Sequence, residues 1–97
     1  MTYHLSALAE EDLRDAWRYI ADEAGEARAD QVLAEIFDGV LMLTRQPRVG
    51  RLRAEFGAGI RCLPVRRYLV YYREEDASVL IARVLHARRD QSAAWQA

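Results

Sequence analysis

Residues 59–90, GIRCLPVRRYLVYYREEDASVLIARVLHARRD, limit what this chain can become. β-Branched and aromatic residues are interleaved with arginines and broken by two turn-like clusters, Arg66–Arg67 and Glu74–Asp76. That pattern predicts three consecutive antiparallel strands, Ile60 to Val65, Tyr68 to Glu74 and Ser78 to Leu85. Pro64 has no amide to donate, which makes the first of them an edge strand or kinks it near its end. In the last strand a period of two puts Val79, Ile81, Arg83 and Leu85 on one face and Leu80, Ala82, Val84 and His86 on the other. Both faces are partly apolar, so this strand is expected at the centre of its sheet.

The chain before that stretch reads as the layer that covers it. Thr2 to Leu5 alternates like a short strand, and Ser6 is placed to cap a helix. Glu10, Glu11 and Asp12 fall in the opening turns, where the helix dipole favours negative charge. Ala9, Leu13, Ala16, Trp17, Ile20 and Ala24 form one apolar stripe, and Gly25 is a natural stop. A second stripe follows at once: Ala29, Val32, Leu33, Ile36, Phe37, Val40 and Leu43. So short a link folds the two helices back as a hairpin. The segment PRVGRLRAEFGAG is then expected to be a mobile surface loop, and Asp90 to Trp95 to add a helical turn that lays Trp95 on the body or on a partner. Residues 1–97 are thus one α+β domain: an N-terminal strand and a helical hairpin packed on one face of a small, mainly antiparallel sheet.

A net charge of −1 hides a division. Residues 1–43 carry three arginines against ten acids, −7; residues 44–97 carry eleven against five, +6. All the basic residues are arginine, a side chain suited to paired bonds with phosphate or carboxylate. A one-sided positive surface attracts nucleic acid or an acidic partner. No window approaches the ~18 apolar residues of a membrane helix. The opening residues do not read as a secretory signal, and Cys62, the only cysteine, cannot bridge to another; together these favour the cytoplasm.

Arg61 and Arg83 each interrupt an apolar strand, so each must reach solvent, a carboxylate or a ligand. With Arg53 and His86 they are expected to line an open sheet face, left bare by the helices and ready for another macromolecule. Tyr68, Tyr71 and Tyr72 fit sheet packing better than base stacking. Cys62 reads as a small buried hydrophobe. No paired His, Cys or carboxylate motif points to a metal, and nothing calls for a cofactor.

The order helix, helix, PRVGRLRAEF loop, strand with Arg61, RYLVYYR and IARVLHARRD resembles the ParE branch of the RelE/ParE toxin superfamily over nearly the whole chain. The resemblance implies the toxin of a bacterial type II toxin–antitoxin pair, of the kind that stabilises plasmids, which poisons DNA gyrase. Its antitoxin would be ParD-like, with a ribbon-helix-helix DNA-binding end and a flexible tail that wraps the toxin. DNA would be contacted only through the antitoxin or gyrase. Target contacts would come from Arg51, Arg53, Arg61, Arg83, His86 and Arg89, and antitoxin contacts from Leu13, Trp17, Tyr19, Ile20, Phe37 and Tyr71. The alternative is a RelE-like, ribosome-dependent mRNA endonuclease, with Arg61 and Arg83 on the phosphate and His86 as acid or base. Against it, the tyrosine common in the closing segment of such enzymes is missing, since none follows Tyr72, and Glu55 is the only carboxylate in the middle loop. A third reading is a degenerate member that only binds its antitoxin.

Overall fold

Ser6 separates β1 (Thr2–Leu5) from α1 (Ala7–Ala24) in the computed structural model, which describes residues 1–96. Its Oγ accepts from the Ala9 amide at 3.0 Å, an N-cap that satisfies one of the helix's orphan donors. Gly25 alone links α1 to α2 (Glu26–Arg45). Its φ of 94° favours glycine, and a Cβ there would touch nothing, so the requirement is conformational rather than steric. Trp17 Nε1 donates to Asp30 at 2.8 Å and ties the two helices together. No helix among the described residues is long and apolar enough to cross a membrane.

The sheet has the order β1-β5-β4-β3-β2, with β2 Arg51–Leu52, β3 Arg61–Val65, β4 Tyr68–Glu75 and β5 Ser78–His86. β5 is an interior strand, paired on both sides as its apolar faces imply, but it lies second from the edge and β4 takes the centre; β1 lies parallel to β5 while the remaining pairs are antiparallel. Pro64 sits beyond the end of β2, where its missing amide faces an unpaired edge. β4 runs one residue further than expected, to Glu75, because Glu74 and Glu75 pair with Val79 and Ser78, and the turn before β5 is confined to Asp76–Ala77. The helices cover one face, where Leu13, Ile20, Ile36, Val40 and Leu43 meet Val70, Tyr72, Val79 and Ile81.

Three expectations are corrected. The segment after α2 is built rather than mobile: it supplies β2 and a 3₁₀ turn, Ala54–Phe56. The alternation along β5 breaks, because Tyr71 pairs with Arg83 but Tyr72 with Ile81, leaving Ala82 as a bulge. Val84 therefore joins Val79 and Ile81 under the helices, while Leu85 packs on the other side. Finally, that other side is not bare. Phe56, Ala94 and Trp95, the last two from α3 (Gln91–Gln96), close over Ile60, Cys62, Tyr71 and Leu85. Trp95 stacks on Phe56 at 5.5 Å and meets Tyr71 edge-on, so it lies on the body.

Candidate functional site

Arg83 is turned inward. β1 pairs with β5 only as far as Ile81, and beyond it the edge of β5 needs other partners. Ser6 donates its amide to the Ile81 carbonyl and its Oγ to the Ala82 carbonyl, and Asp12 Oδ2 accepts from the Val84 amide at 2.9 Å. The Arg83 guanidinium then takes Asp12 by both oxygens, at 2.9 and 3.0 Å, and donates to the Ala94 carbonyl at 2.7 Å. Only 6% of Arg83 remains exposed. The bond to Asp12 raises its pKa further, so it stays charged. One residue thus joins α1, β5 and α3, and with all three of its nitrogens bonded inside and so little of it exposed it is poorly placed to take an outside phosphate.

Arg61 is also engaged. Its Nη1 donates to the Gly50 carbonyl at 2.9 Å, while the Gly50 amide donates to Tyr72 Oη at 2.8 Å. Gly50 is required here by space: a Cβ would lie 2.5 Å from Tyr72 Oη and 2.9 Å from the Cys62 carbonyl. Arg53 pairs with Glu55 at 2.9 Å, its guanidinium 5.0 Å from the centre of the Phe56 ring, and Arg51 is exposed.

A concavity of about 720 Å³ runs on the helix side between α1 and the far end of the sheet. Ile20, Val32 and Tyr68 are among its apolar lining. Asp15 and Glu23 stand on its α1 wall, and Arg67, Arg88 and Arg89 on the sheet wall. His86 lines it too, its ring edge-on to Tyr68 at 5.2 Å. His86 Nδ1 accepts from the Arg88 amide at 3.1 Å, which leaves Nε2 as the ring's donor nitrogen. Glu35 on α2 holds Arg66 beside the groove, and that pairing lowers the Glu35 carboxyl below its ordinary range.

The expected sites are therefore divided. Arg61 and His86 lie four residues apart along β4's register, roughly 13 Å, and two strands apart, while Arg83 belongs to the opposite face. They do not converge on one phosphate. Of the apolar residues expected to meet a partner, Leu13 and Tyr71 are core, Ile20 is largely buried but lines the floor of the groove, and Phe37 packs partly against the core. Tyr19, 59% exposed, opens onto the groove, and Trp17 lines a separate shallow cleft with Leu13 and Leu33. The sequence reading missed Asp12, taken for a dipole residue, although an arginine in an apolar strand already demanded a carboxylate somewhere.

Comparison with known proteins completes the picture. The family model described as ParE toxin of type II toxin-antitoxin system, parDE, matches residues 3–91. This chain belongs to the ParE toxin family. Among solved structures, the ParE-family fold seen here is similar to a chain from the chromosomal ParDE TA system of P. aeruginosa. The TM-score is 0.79 at 19% identity, over 91% of this chain and 97% of that one, a likeness of fold. No curated protein sequence matches significantly.

Proposed function

We propose that this ParE-family toxin inhibits DNA gyrase and so blocks replication, and that a ParD-like antitoxin neutralises it. It acts in the cytoplasm by occupying gyrase, without bond-making chemistry of its own. The observation that carries this reading over mRNA cleavage is the separation of Arg61, Arg83 and His86, with Arg83 already bound to Asp12 and Ala94. A ribonuclease needs phosphate ligands and an acid or base within reach of one ribose.

The groove suits the antitoxin's tail. A segment disordered when free gains affinity by docking apolar anchors, here against Ile20, Val32 and Tyr68 with Tyr19 closing over them. Acidic residues of the tail meet Arg67, Arg88 and Arg89. Purified protein added to gyrase and supercoiled plasmid should accumulate cleaved DNA, and the antitoxin should prevent it. Normal supercoiling together with mRNA cut within codons in a translating extract would overturn the reading. Growth unharmed by expression without antitoxin would mark a binding module instead.

A further inference from the structure

Residues 48–53 lie at the opposite end of the sheet from the groove, beside the register pair Leu52–Arg61. Val49 and Leu52 are 50% and 53% exposed, two large aliphatic side chains within four residues. Around them stand Arg48, whose side chain is mostly exposed and reaches Glu74 at 3.2 Å, the exposed Arg51, and Arg53. The stretch is nevertheless rigidly held. Gly50 gives its amide to Tyr72 and its carbonyl to Arg61, the Arg53 amide donates to the Ile60 carbonyl at 2.7 Å, and no side chain fits at position 50.

Aliphatic side chains held in water by a preset backbone are what a protein interface uses, because little ordering entropy remains to be lost on docking. Strand addition fits poorly. β2 has two residues, both polar groups of Gly50 are engaged, and the next outward position on β3 is Pro64. A nucleic-acid backbone fits poorly too: it would gain nothing from Val49 and Leu52, and with Arg48 and Arg53 holding Glu74 and Glu55 the exposed Arg51 is left for a single acidic contact rather than a run of phosphates. We propose that residues 48–53, preset by the Arg61–Gly50–Tyr72 clamp, are a side-chain docking surface for an acidic, partly apolar patch on the toxin's target protein. The inference rests on the toxin reading above and makes the target's surface separate from the antitoxin's groove.

The test compares Arg51→Glu/Leu52→Asp, Gly50→Ala and a control charge reversal on α1, Arg14→Glu, for the concentration that inhibits gyrase supercoiling. Arg51 and Leu52 are exposed, so their variant should melt within about 3 °C of the wild type yet need about tenfold more protein to inhibit. Gly50→Ala should shift in the same direction, and Arg14→Glu should match the wild type. A folded Arg51→Glu/Leu52→Asp protein that inhibits at the wild-type concentration, or a control that loses as much, overturns the proposal. If the wild type leaves supercoiling intact, the gyrase reading fails by itself, and growth arrest on induction becomes the readout. Arrest relieved by the double variant then supports the surface, and arrest as severe as the wild type's overturns it. A wild type that impairs neither gyrase nor growth overturns both.

Discussion

Arg83 and Arg61 hold two regions of one sheet by different means. At the α1 edge, Arg83 is buried with a carboxylate, so its charge is matched where water is excluded. At the β2 end, Arg61 is half-buried and binds carbonyls, with solvent to share its charge. Each pairs across the sheet with a buried tyrosine, Tyr71 beside Arg83 and Tyr72 beside Arg61. An arginine within an apolar strand is here a fastener, because leaving its donors unmet would be worse than fixing its side chain. On the basic half of the chain, exposed cations sit on turns and in residues 48–53, at Arg51, Arg67, Arg88 and Arg89, while Arg14, Arg18 and Arg45 are exposed on the helices.

The comparison breaks most sharply at Arg83. Arg83→Met leaves the Asp12 carboxylate buried without its counter-ion and should lower stability by about 3–5 kcal/mol in urea denaturation. Asp12→Leu with Arg83→Met should recover much of that, since a matched apolar pair removes the stranded charge. A loss under about 1 kcal/mol for the single variant would mean that the edge of β5 is not held as described.

At the other fastener the effects are smaller. Gly50→Ala forces a Cβ against Tyr72 Oη and the Cys62 carbonyl, and should cost about 2 kcal/mol. Tyr72→Phe leaves the Gly50 amide without its partner, about 1–2 kcal/mol. The two losses should not add, and a double-mutant cycle measures the shortfall.

Alkaline titration separates the two tyrosines. Burial raises both phenols above the ordinary 10.0, and for Tyr72 the bond from the Gly50 amide opposes part of that rise. The unfolded chain therefore loses these protons first. Stability should be whole below pH 10 and fall as pH rises through the folded values, with tyrosinate absorbance appearing as the protein unfolds. Phenols that ionise well before unfolding would show both tyrosines to be open to water.

The least disruptive substitutions are on the groove. Arg88→Ala or Arg89→Ala should leave the melting midpoint within about 2 °C while weakening the antitoxin complex about fivefold, read by titration. Antitoxin affinity unchanged in both would remove the sheet wall of the groove from that interface.

Most of the architecture is legible in side-chain order. The stripes from Ala9 to Ile20 and from Ala29 to Leu43, the Ser6 cap, the Gly25 link and the interior place of β5 all follow from local periodicity and backbone preference. The site is less legible because one inserted residue reverses every later side chain on its strand. Ala82 does that to β5, so Val84 and Leu85 exchange the faces that strict alternation assigns. The closing of the far face is equally hidden: Phe56 and Trp95 are 39 positions apart and meet only after the sheet has formed.

Composition and periodicity alone dictated a helical hairpin on a strand-rich half, the division into an acidic and a basic segment, and an arginine at position 83 that had to be satisfied. Folding chose how. It brought Asp12 and Ala94 to Arg83, closed the aromatic face with α3, and left the groove and residues 48–53 facing solvent. The reason is one of range. Helix and strand preferences act between neighbours, whereas a buried charge takes its partner from whatever distant residue the packed chain sets beside it.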